Sequence, residues 1–224
     1  MKPRQRTLSG IALAVILVAA LIGLVACLPV PIGNPERSRL DSDLSGIWTE
    51  VDGEPFVTLF EPYDKRTWLV SMIAASPGDG CAPPVIPPGY DKLVAWLEDD
   101  PCAGADRASI YKTWRSKHGK RWFLTMQPMA LINDEADDPF SKGAWFVYRI
   151  DKISADTFEL RLVDPEFEGF KGLAKKRRDF EKVIRKHAED DDMYVEPTSR
   201  FERVRDEHIG LFADFIDDVI DVEL

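Results

Sequence analysis

The feature that most constrains this 224-residue chain is a period of two. Short runs in which apolar and polar residues alternate recur over 46–51, 56–60, 67–75, 92–97, 109–117, 120–127, 144–150, 157–163 and 200–204. Trp122, Leu124 and Met126 alternate with Phe123, Thr125 and Gln127; Phe158, Leu160 and Leu162 alternate with Thr157, Glu159 and Arg161. Alternation of this kind places one face of a run on a core and the other on solvent, the signature of a half-buried strand. Turn residues such as His118-Gly119 and Ser154-Ala155-Asp156 separate the runs. Closely spaced strands with short turns give an antiparallel meander. The expected fold is therefore mainly β, an antiparallel barrel or meander of about eight strands over residues 44–204.

The period changes near the C-terminus. Phe180, Val183, Ile184 and His187 form a helical stripe within 173–188, and its other face is basic: Lys175, Lys176, Arg177, Arg178, Lys182, Arg185 and Lys186. Over 205–224, Leu211, Phe212, Phe215, Ile216, Val219 and Ile220 make a second stripe, opposite Asp214, Asp217, Asp218 and Asp221. The basic face has two readings. It attracts phosphates of lipid or another polyanion, or it pairs with the acidic face of the terminal helix, the partner preferred here. The terminal helix either covers the barrel or presents Phe212 and Phe215 to another protein.

About eight strands, a helix and a closing strand is the order of a lipocalin-like barrel. Gly46-Ile47-Trp48 resembles the G-x-W signature on the first lipocalin strand. In that family the tryptophan plugs the barrel base and an arginine from near the last strand stacks on it. The resemblance gives those roles to Trp48 and to Arg200 or Arg203. An ordinary core tryptophan in another small barrel or sandwich is the alternative. The stretch 180–204 also resembles the C-terminal part of many uncharacterised envelope lipoproteins.

The N-terminus carries an address. Lys2, Arg4 and Arg6 precede an uncharged apolar run over 11–25, the size of a signal-peptide core and short for a membrane span. It ends in Leu24-Val25-Ala26-Cys27, which resembles the lipobox of bacterial lipoproteins. That resemblance implies a signal peptide over 1–26, cleavage before Cys27, acylation of its sulfur, and attachment to an envelope membrane. Leu28 rather than Asp follows the cysteine, which favours the outer membrane. Removing three basic residues with the leader leaves 26 basic against 39 acidic side chains, a charge of −13. Such a domain is repelled by anionic headgroups and is no partner for nucleic acid. Residues 27–43, with Pro29, Pro31 and Pro35, read as a lipidated tether reaching roughly 55 Å.

Cys81 and Cys102 remain, an even count for an oxidising compartment such as the periplasm, and they read as one structural disulfide worth roughly 3 kcal/mol. No C-x-x-C, G-x-S-x-G, H-E-x-x-H, Gly-rich phosphate loop or dinucleotide fingerprint occurs in the sequence. His118 reads as a solvated turn residue, His187 as a core or boundary residue, and His208 as unpartnered. The acidic stretches 133–138 and 189–192 read as solvated loops. No catalytic constellation, metal site or cofactor is expected. All six tryptophans lie between Trp48 and Trp145; Trp68, Trp96, Trp114 and Trp145 are the candidates to line a ligand cavity. The expected function is non-enzymatic binding of a small apolar ligand or lipid. The alternative is a protein-interaction lipoprotein, an envelope assembly factor or an inhibitor of a secreted enzyme or toxin.

Overall fold

A computed structural model describes residues 27–51, 56–77, 89–100, 103–132 and 145–220. Cys81, Cys102, the signal segment and the acidic stretch 133–138 lie outside the described residues. Eight strands form a closed antiparallel barrel in which each pairs with its neighbours in sequence. They are β1 (Gly46–Glu50), β2 (Phe56–Pro62), β3 (Trp68–Pro77), β4 (Ala103–His118), β5 (Arg121–Ile132), β6 (Phe146–Lys152), β7 (Thr157–Leu162) and β8 (Ser199–Arg203). The barrel closes where β8 pairs with β1, with Trp48 opposite Arg203 and Glu50 opposite Phe201. Closure gives each strand a paired neighbour on both sides of the barrel.

One expected strand is a helix. Residues 92–97 lie within α1 (Tyr90–Asp99), which buries Tyr90, Leu93, Val94 and Trp96. Tyr90, Leu93, Val94 and Leu97 stand at i, i+3, i+4 and i+7, so a helical stripe competes with a short apolar run that also fits a strand. The two C-terminal helices are α2 (Arg177–His187) and α3 (Ile209–Ile220).

The strands are buried on both faces, which divides the core into three. Inside the barrel are Trp48, Phe60, Trp68, Val70, Leu124, Phe158 and Phe201, with Leu44 beneath them. Outside, the sheet around Val57, Ile73 and Ala108 is covered by Leu93 and Trp96 of α1 and by Phe212, Phe215 and Ile216 of α3. On another outer face, Phe123 and Val147 pack against Phe180 and Ile184 of α2.

That last cluster also holds Leu28, Val30 and Ile32. The first stretch of the expected free tether is thus core, while Glu36, Arg37 and Arg39 stay exposed. Leu28 exchanges two backbone hydrogen bonds with Trp145, at 2.8 and 3.2 Å. The Ile32 carbonyl accepts from Trp114 Nε1 and from Thr125 Oγ1, both at 2.8 Å. Gly33 has φ +73°, and a Cβ there would collide with Ser116, so only glycine lets the chain pass so close to β4. Further on, Ser38 Oγ accepts from the Arg115 amide at 3.0 Å, and Asp41 pairs with Arg115 and Lys152. Residues 28–44 therefore form a belt along the outside of the barrel. The prolines suggested looseness, but Leu28, Val30 and Ile32 alternate as strand residues do.

Candidate functional site

The two ends of the barrel differ. At the end where β1 begins, Trp48 donates its Nε1–H to the Leu44 carbonyl at 2.9 Å, so the belt's last turn is fastened across the opening. The Arg203 guanidinium lies over the Trp48 ring, 4.2 Å from its centre. Its Nη1 donates to the Ser45 carbonyl at 2.9 Å and its Nη2 to the Asp43 carbonyl. Phe158 meets Trp48 edge-on at 4.6 Å and stacks on Phe201 at 5.1 Å. Aromatic, cation–π and hydrogen-bonding contacts together seal this end. Arg203, not Arg200, is the residue over the tryptophan.

Toward the other end the inner wall changes character. Register puts Met72 level with Thr58, and Tyr148 level with Leu124, so both point inward. Phe146, level with Met126, does the same. All three are only partly buried although they face the barrel interior. Tyr111 meets Phe146 edge-on at 5.9 Å. Burial away from water pushes the Tyr148 phenol far above its ordinary range, and raises that of Tyr111. Both are neutral near pH 7 and offer hydroxyls as hydrogen-bonding groups on an inner wall where register also places Thr58, Thr113 and Glu50.

Cys27 stands at this end, one residue before the Leu28–Trp145 bridge. Burial raises its thiol pKa, and a charge on its sulfur would be felt by both Tyr111 and Tyr148. Residues 52–55, 78–88 and 133–144 lie outside the described residues.

No protein-family model, curated protein or solved structure matches this chain.

The tryptophans expected to line a cavity are not brought together. Trp68 faces inward but is fully buried near the sealed end. Trp96 lies on α1, outside the barrel. Trp114 faces outward onto the belt, where Ile32 takes its N–H. Trp145 precedes β6 on the outward parity and pairs with Leu28. The residues at the open end are instead Met72, Tyr111, Phe146 and Tyr148, whose inward register was hidden because both strand faces are apolar.

The basic helix also departs from expectation. Lys175 and Lys176 precede α2, Arg177 and Arg178 form its first turn, and all four are exposed. Helix α2 packs on the face with Phe123 and Val147, while α3 packs on the face with Val57 and Ile73. The two helices cover separate walls, so the acidic side of α3 is not the partner of α2. Phe212 and Phe215 are buried against the barrel wall with Val57 and Ile73.

The histidines have partners. His118 is buried against α2, with Nε2 at 3.0 Å from Ser116 Oγ, and burial lowers its pKa. His208 Nδ1 lies 2.7 Å from the Tyr90 hydroxyl. His187 is half-buried, 2.6 Å from Asp190. The acidic residues after it are not all solvated alone: Glu189 takes hydrogen bonds from Arg121 and Asp191 from Arg161.

Proposed function

We propose that this chain is a lipid-anchored envelope protein whose barrel holds a small apolar ligand or a lipid. The observation that carries the reading is the polarity of the barrel. One end is sealed by Leu44, Trp48 and Arg203, while inward side chains toward the other keep accessible surface. An eight-stranded barrel has room either for side chains alone or for one small ligand. Partial exposure of Met72, Phe146 and Tyr148 inside the wall favours the second. The phenols of Tyr111 and Tyr148 would engage one polar group of a mostly apolar guest.

The anchor fits this arrangement. The lipobox resemblance assigns acylation to Cys27, and two or more chains hold a protein stably where one does not. Because Leu28 is pinned to Trp145, acyl chains on Cys27 would leave the protein beside the open end. A guest would then pass between bilayer and barrel over a short path.

The test uses the Cys27→Ser domain and a neutral fluorescent naphthylamine as probe. Saturable one-to-one binding, lost in Met72→Trp and weakened in Phe146→Ala, supports the reading. Trp114→Phe, outside the barrel, should leave binding unchanged. No binding by the folded wild-type domain, with no adduct in its native mass spectrum, would overturn it and favour the protein-interaction alternative.

A further inference from the structure

A second concave site lies away from the open end, beside the β4–β5 hairpin. A cleft of about 700 Å³ is lined by Arg37 and Arg39 from the belt, Arg115, Lys117 and Trp122 from the hairpin strands, and Arg177 from α2. Five cationic side chains face it against one carboxylate, Glu181. The whole chain carries −10, so this is a local reversal of sign drawn from three separate parts of the sequence.

Part of this charge is already engaged. Arg115 pairs with Asp41, and Arg177 donates to the Gly33 carbonyl at 3.1 Å and lies 3.7 Å from Glu181. The rest is not. Among the described residues Arg37, Arg39 and Lys117 make no ion pair with a carboxylate. Trp122 sits between cations, with the Arg115 guanidinium 4.1 Å and the Lys117 ammonium 5.4 Å from its ring centre, and remains 38% exposed. His118 lines the same cleft, only 5% exposed, and its Nδ1 has no hydrogen-bond partner.

From this geometry we infer that the cleft binds a phosphate-bearing molecule. Guanidinium forks match phosphate oxygens in bidentate fashion. An excess of several positive charges suits a dianionic phosphate better than a single carboxylate. The exposed indole offers a face for the carbon skeleton that carries the phosphate. This site is independent of the barrel interior. Its phosphate has two possible sources, a soluble phosphate ester or a lipid headgroup.

The experiment titrates the Cys27→Ser domain with glycerol phosphate, with pyrophosphate, and with vesicles of phosphatidylglycerol or phosphatidylcholine. Chemical shifts of the Trp122 indole N–H are followed by NMR. Saturable binding of a soluble phosphate, weakened about tenfold or more in Arg37→Glu/Arg39→Glu, supports the site with a soluble ligand. Binding of phosphatidylglycerol vesicles alone, with the same loss, supports it with a headgroup. Lys182→Glu/Lys186→Glu on α2 changes net charge equally and lies outside the cleft, so it should leave affinity within about threefold. Equal loss in both double variants would reduce the effect to net charge and overturn the site. So would the absence of any saturable shift in a wild-type domain that retains its folded spectrum.

Discussion

Replacing Ile32 by alanine measures whether the belt belongs to the fold. Ile32 is fully buried in the cluster with Phe123, Val147 and Ile184. The change removes only side-chain atoms. The Ile32 carbonyl, which holds the Trp114 indole and the Thr125 hydroxyl, remains in place. The loss is then transfer free energy plus a cavity, about 3 kcal/mol within a range of ~2–5. For a domain of this size each kcal/mol moves the melting temperature by about 2–4 °C, so a fall of roughly 6–12 °C is expected. Ile32→Val should cost much less, about 0.5–1.5 kcal/mol. The assay is thermal and urea unfolding of the Cys27→Ser domain, followed by near-ultraviolet circular dichroism. The control is Arg39→Ala, an exposed belt position. If Ile32→Ala changes stability by no more than that control, the belt is a loose tether and the reasoning fails.

Three further outcomes are expected. Arg203→Ala removes a cation–π contact and two hydrogen bonds to belt carbonyls, and should destabilise by about 1–3 kcal/mol; Arg203→Lys keeps the charge without the fork and should recover little of it in a urea titration. His118 has its pKa lowered from 6.5, first by burial, then by Arg185, with Glu181 opposing. The unfolded chain thus takes up the proton first, so stability is full above about pH 6.5 and falls as pH drops toward the lowered native value. Urea midpoints at two pH values should converge in His118→Gln, and an unchanged slope would contradict this. Finally, β3 and β4 part at the Pro77–Ala103 pair, close in sequence to Cys81 and Cys102; the mature domain made in an oxidising compartment should be lighter by two hydrogens, with no thiol titrating at either position.

Much of the barrel was legible because its hairpins keep strict alternation. Trp122 to Gln127 and Thr157 to Leu162 lie in strands, as their alternation predicted. Reading which face was inward was harder. Val57 and Thr58 are neighbours on opposite faces and both are buried, because α1, α3, α2 and the belt cover the outside of the barrel. A two-sided core blurs alternation, so Trp96 and Trp114 looked as eligible for a cavity as Trp68. The burial of His118 was illegible for another reason. A turn histidine is normally wet, and only the packing of α2 across the hairpin, with the Arg185 backbone and side chain close to Gly119, takes water away. The cleft was unreadable because its cations are spread from Arg37 to Arg177 and meet only when belt, hairpin and helix have docked.

The belt also gives the protein a mechanical character. A load applied at residue 27 enters through the single Leu28–Trp145 bridge, then meets Val30, Ile32 and Gly33 one after another. Contacts arranged in series are peeled singly, at low force, whereas the barrel ladders would have to yield together. Tension would therefore lift the belt first and leave the strands intact. Complete lifting of residues 28–43 releases roughly 55 Å of chain before β1 bears any force. At rest Leu28, Val30 and Ile32 are core, and under strain the belt would act as an extensible spring between an attachment point and the domain it carries.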